Sequence, residues 1–188
     1  MTHIALFHSV YGLRPAVLAA AERFRAAGHL VVAPDLYAGK TAATVDEGFA
    51  LSDRIGWATI MQRARDAVRD LPDDAVLAGF SMGAGVAGSL LADRHDAAGL
   101  LLLHGTGGVP ATVRDGLPVQ LHIADPDEYF SAADVAVWRT GMANAGAVVE
   151  VLAYPGAGHL FTDPDTPDHD RTAMALARQR SLDFLDRL

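Results

Sequence analysis

Two apolar patterns alternate along the chain. Short runs at 4–7, 30–33, 75–78, 100–103, 119–123 and 148–152 are apolar, most of them at consecutive positions. A strand covered on both faces has no polar side to show, so these runs predict six buried strands. Between them the apolar residues recur at helical spacing. Residues 15–27 carry Val17, Leu18, Ala21 and Phe24 before Gly28 stops the pattern. Residues 57–71 carry Ile60, Met61, Ala64 and Val68 before Pro72. Residues 82–91 are small and apolar all round, as suits a helix buried in the centre, and residues 131–145 and 172–188 complete the set. Strands alternating with helices form βαβ units. The expected class is therefore α/β, with a mostly parallel central sheet and helices on both faces. In such sheets the chemistry gathers at the carboxyl ends of the strands.

Composition narrows this frame. A length of 188 residues predicts one domain over 1–188, and 51% hydrophobic residues suit a packed core. No apolar run reaches the roughly 18 residues of a membrane span, and the first residues carry no basic-then-apolar leader. The chain has no cysteine, which excludes disulfides, thiolate metal sites and a cysteine nucleophile. That usage suits a reducing cytoplasm, the expected location. A net charge of −8 argues against nucleic acid and anionic membrane as partners. The expected partner is a small molecule, and the expected state is a monomer or small homo-oligomer.

Gly79-Phe80-Ser81-Met82-Gly83 matches G-x-S-x-G. The motif alone is weak, but a predicted strand runs into it and a helix of small residues runs out. That is the strand-turn-helix of a nucleophile elbow. The flanking glycines let the turn close while Ser81 is held in a strained conformation. The helix start beyond Ser81 puts a positive dipole end near developing negative charge. The plainer alternative is a glycine turn that only packs a helix on the sheet.

A serine hydroxyl needs a base and an orienting carboxylate. In this arrangement the chain order is serine, acid, histidine. Only His159 and His169 follow the fifth predicted strand. His159 sits in the glycine-rich Tyr154-Pro155-Gly156-Ala157-Gly158 loop, which lets it reach over the sheet edge. His169 lies among acidic residues and reads as solvated. The acid candidates are Asp125, Asp127 and Glu128, and spacing alone does not choose among them.

These segments resemble the dienelactone hydrolase family, over nearly the whole chain. The resemblance rests on Gly79–Gly83, on Tyr154–Phe161 with its Gly-His-x-Phe, and on the tail around residues 177–185. Phe7-His8-Ser9-Val10-Tyr11-Gly12 is similar to the family's first active-site loop. The resemblance implies an α/β-hydrolase fold and a hydrolase acting on an ester or lactone. So short a chain leaves no evident large lid domain, so the expected substrate is small, and with Ser81 as nucleophile the expected mechanism is that of a serine hydrolase with no cofactor or metal. It favours Asp127, ahead of Tyr129-Phe130, over Asp125. It also implies an oxyanion hole from the backbone N–H groups of Val10 and Met82. Two departures stand out. Founding members carry cysteine at the position of Ser81 and glutamate at that of Ser9, so an ordinary serine mechanism is expected. The family's substrate-binding arginine is replaced by Asp163, which would repel an anionic lactone.

Asp163, Asp165, Asp168, His169 and Asp170 read as a solvated acidic loop rather than a cation site. His104-Gly105-Thr106-Gly107-Gly108 follows a late strand and reads as a loop. The resemblance implies that Asp53, Arg54 and Trp57 line the pocket, because the family's connecting segment before the nucleophile helix contributes there. A thioesterase or acyltransferase on the same three residues is the nearest alternative. A non-catalytic binding protein of the same fold is the alternative from another class.

Overall fold

The computed structural model describes residues 1–188. Six strands form one sheet: β1 (His3–Phe7), β2 (Leu30–Val32), β3 (Val76–Phe80), β4 (Leu100–Leu103), β5 (Pro118–Asp125) and β6 (Val148–Pro155). Their order is β2-β1-β3-β4-β5-β6, and every neighbouring pair is parallel. Six helices connect and cover them: α1 (Pro15–Ala26), α2 (Val45–Ile55), α3 (Trp57–Val68), α4 (Met82–Leu90), α5 (Ala132–Asn144) and α6 (Arg171–Asp186). No segment between the strands forms a lid.

The consecutive apolar runs are explained by two separate cores. Side chains alternate across a strand, so Ile4 and Leu6 enter one core while Ala5 and Phe7 enter the other. The first core lies under α1 and α6, where Val17, Phe24, Phe184 and Leu185 meet Val76, Ala78, Leu101 and Leu103. The larger core lies under α3, α4 and α5, where Ile60, Val86 and Trp138 meet Leu77, Leu102 and Leu121. Helix α4 runs along the sheet on its small residues, with Ala84, Val86, Ala87 and Leu90 fully buried. No helix is long and apolar enough to cross a membrane.

Helix α2 has no counterpart in the sequence reading. Of its apolar residues, only Gly48 and Leu51 are buried, and Phe49 is left exposed. Its periodic signal is nonetheless present, since Val45, Gly48, Leu51 and Ile55 recur at helical spacing. Its start carries a second signal. The Thr44 hydroxyl accepts from the Glu47 N–H at 3.2 Å, and the Glu47 carboxylate accepts from the Ala43 N–H at 2.9 Å. Thr44-Val45-Asp46-Glu47 is the Thr-x-x-Glu pattern of a helix N-terminus.

Candidate active site

Strand β3 ends at Phe80, and the chain turns at Ser81 into α4. Ser81 has φ 51° and ψ −109°, a left-handed conformation that a side chain rarely adopts. Two close approaches hold it. A Cβ on Gly79 would sit 2.1 Å from the Gly83 carbonyl oxygen, and one on Gly83 would sit 2.3 Å from that of Phe7. Ser81 N–H donates to the Leu103 carbonyl at 2.8 Å, which ties the turn to β4. The hydroxyl is thereby aimed over the carboxyl end of the sheet.

His159 descends from the loop after β6. Its Nε2 lies 2.9 Å from Ser81 Oγ. Its Nδ1 lies 2.9 Å from Asp127 Oδ2 and 3.1 Å from Oδ1. The Asp127 side chain is fully buried and that of His159 nearly so, at 0% and 5% exposure. Asp127 Oδ1 also accepts from the N–H groups of Tyr129 and Phe130, at 2.9 and 3.2 Å. Hydrogen bonds to the charged form stabilise a buried carboxylate. Asp125 is exposed at the end of β5, and Glu128 is exposed beside Tyr129; neither bonds His159. Aromatic rings enclose the imidazole, with Tyr129 at 4.6 Å and Phe130 at 6.1 Å between centroids.

Val10 and Met82 border the same cleft, which has a volume of about 330 Å³. Met82 opens α4, so its N–H has no intrahelical partner. The Val10 N–H likewise makes no hydrogen bond to a backbone carbonyl. The Met82 sulfur accepts from the Tyr37 hydroxyl at 3.1 Å, which steers that side chain.

Several sequence expectations change here. Trp57 lines the cleft, but Asp53 and Arg54 do not; their neighbours Phe49 and Ser52 on α2 do so instead. Arg54 faces a separate groove with Lys40 and Glu47. Asp163 does not face Ser81 either. It is ion-paired with Arg14 at the start of α1 and borders a different cleft, with Phe24 and Arg178. Its charge is therefore not presented to a substrate on Ser81. The acidic loop leaves Asp165 exposed but is otherwise held by hydrogen bonds. Asp168 accepts from the Leu160 N–H at 3.0 Å, and Asp170 caps α6 through the Thr172 and Ala173 N–H groups. His169 is half-buried, not solvated.

The loop after β4 contributes more than its sequence suggested. His104 has φ 64° and is fully buried, and its Nε2 lies 2.6 Å from Thr162 Oγ1 beyond the histidine loop. Its ring packs edge-on against Phe161 at 4.6 Å. Burial, aided by the nearby His159, pushes its pKa well below the usual histidine range. Thr106, two residues on, lines the cleft.

The dienelactone hydrolase family model matches residues 2–188. The chain belongs to this family. Among solved structures it resembles a putative dienelactone hydrolase from Klebsiella pneumoniae, with a TM-score of 0.80 at 16% identity, over 100% of this chain and 88% of that one. It also resembles a dienelactone hydrolase-like promiscuous phosphotriesterase from metagenomic libraries, with a TM-score of 0.76 at 20% identity, over 100% and 87%. A third is Thermogutta terrifontis esterase 2 phosphorylated by paraoxon, with a TM-score of 0.65 at 16% identity, over 99% and 82%. No curated protein matches the chain in sequence. At these identities the structures speak for the α/β-hydrolase fold.

Proposed function

We propose that the protein is a serine esterase that hydrolyses a small ester or lactone in the cytoplasm through an acyl-enzyme. The observation that supports this reading is the continuous hydrogen-bonded chain from Ser81 Oγ through His159 to Asp127, with both links at 2.9 Å. The strained backbone of Ser81 supports it too, because strain of this kind persists where the surroundings enforce it.

In the first step Ser81 Oγ attacks the ester carbonyl carbon while His159 Nε2 takes its proton. Asp127 accepts from His159 Nδ1–H, fixes the ring and stabilises its charged form. Negative charge develops on the carbonyl oxygen. The free N–H groups of Val10 and Met82 bind it, each such donor being worth roughly 2.7–4 kcal/mol in transition-state stabilisation. The tetrahedral species collapses, and His159 delivers the proton to the departing alcohol oxygen. Water then attacks the acyl-enzyme by the same route, which releases the acid and restores Ser81. The enzyme needs no metal or cofactor for any step.

Labelling with a fluorophosphonate tests the reading. The wild-type protein should form a stoichiometric adduct on Ser81, and Ser81→Ala should form none. An adduct elsewhere, or none on the wild type, would rule out the serine mechanism. Product analysis in the presence of thiols and alcohols separates hydrolysis from acyl transfer to another acceptor.

A further inference from the structure

Of the chain's seven Phe, two Trp and four Tyr, only three side chains are exposed: Phe49 at 45%, Trp57 at 46% and Tyr129 at 40%. All three stand on the one cleft that holds Ser81. They come from separate parts of the chain, α2, the start of α3 and the loop after β5. Scattered exposed apolar residues need no explanation, but three aromatic rings converging on one concave site do. The Phe49 and Tyr129 rings lie 6.0 Å apart at 60°, a tilted pair. Trp57 reaches over Gly85 of α4, where an added Cβ would stand 3.6 Å from the indole.

The electrostatics of the cleft are equally one-sided. No lysine, arginine, aspartate or glutamate lines it; His159 and the Tyr129 phenol are its only ionisable groups. Nothing there would bind a substrate carboxylate, although the chain carries 15 lysines and arginines elsewhere. In the mechanism proposed above, Tyr129 stands on the alcohol side of the ester. Its ring packs edge-on against His159 at 4.6 Å, and His159 is the group that faces the departing alcohol oxygen.

We infer that the preferred substrate is an uncharged ester whose alcohol half carries an aromatic ring, held between Tyr129, Phe49 and Trp57. This rests on the serine-esterase reading above. Aromatic pairs prefer offset or edge-on contact and gain more from it than area burial alone provides. A flat ring should therefore be favoured over a saturated ring of similar size.

The test compares benzyl butyrate with cyclohexylmethyl butyrate, whose leaving alcohols differ little in acidity. The benzyl ester should have the higher kcat/KM, by about three- to tenfold. Phe49→Leu and Trp57→Leu, both at exposed positions, should bring that ratio towards one. A benzyl hydrogen succinate, which carries a carboxylate on the acyl half, should be hydrolysed at least about tenfold less efficiently than benzyl butyrate. If both neutral esters are hydrolysed at equal efficiency, if the ratio survives both substitutions, or if the anionic ester is preferred, the inference falls and the esterase reading stands. If no ester is hydrolysed and Ser81 takes no fluorophosphonate, the esterase reading itself has failed.

Discussion

At the scale of single residues, the proposed acid is where sequence and structure exchange the most information. Asp125, Asp127 and Glu128 are chemically alike and lie within four positions of one another. Family resemblance could favour Asp127, but spacing could not, because the choice depends on how the chain turns after β5. In the structure Asp127 alone turns inward, and two backbone N–H groups hold it there. Asp127→Asn should lower kcat for a short-chain chromogenic ester by about 10²–10⁴-fold with folding retained, since the amide favours the wrong histidine tautomer. Asp125→Asn should change kcat less than twofold. The reverse ranking would reassign the acid. The role of Asp163 was beyond the reach of sequence for another reason. Its partner Arg14 is 149 positions away, so nothing local shows the charge to be neutralised.

At the scale of elements, the β3-turn-α4 unit was legible because its constraints are local: an apolar strand, two glycines in fixed positions and a run of small residues. Gly83→Ala should be severely destabilising. The new methyl would press on the backbone of β1, which cannot move aside as a flexible side chain could. The expected readout is a loss of more than about 2 kcal/mol in denaturant titration, or failure to express in soluble form. Helix α2 was legible in the sequence, in the helical spacing of Val45, Gly48, Leu51 and Ile55 before Gly56 and in its capping residues. Thr44→Ala removes the hydroxyl that satisfies the Glu47 N–H and should cost about 1 kcal/mol, measured the same way. Because α2 carries Phe49 and Ser52, the same substitution should also raise KM for esters bound in the cleft.

At the scale of the whole molecule, acid sensitivity follows from how the fold uses histidine. His8, His104 and His122 are all fully buried. Burial depresses the pKa of each, that of His122 to about 3. His8 Nε2 accepts from the Leu36 N–H at 3.0 Å, a bond that protonation would break. In the unfolded chain these rings take up protons below about pH 6.5. The folded state refuses them, so stability is complete above that pH and falls as pH drops through the range from 6.5 towards 3. The denaturation midpoint should therefore decline steadily between pH 7 and pH 4.5. His122→Gln should start from lower stability but lose less of it over that interval. A parallel decline in both proteins would show that His122 does not contribute.

The contact between α2 and the loop after β1 has a consequence for how this enzyme can change over generations. A Cβ on Gly48 would lie 2.8 Å from the Val10 carbonyl oxygen, so the backbones of α2 and the Val10 loop touch directly. One helix thus carries Phe49 of the cleft's aromatic mouth on one side and leans on a proposed oxyanion donor on the other. Substitutions that shift α2 to admit a bulkier substrate would disturb the Val10 amide at the same time. Adaptation to new esters should therefore proceed by exchanging side chains on a stationary backbone, at Phe49 and Ser52 of α2 and at Trp57 of α3. Insertions or deletions in residues 45–55 should be rare among active descendants, and a library with length variation there should yield far fewer active clones than one varying side chains alone.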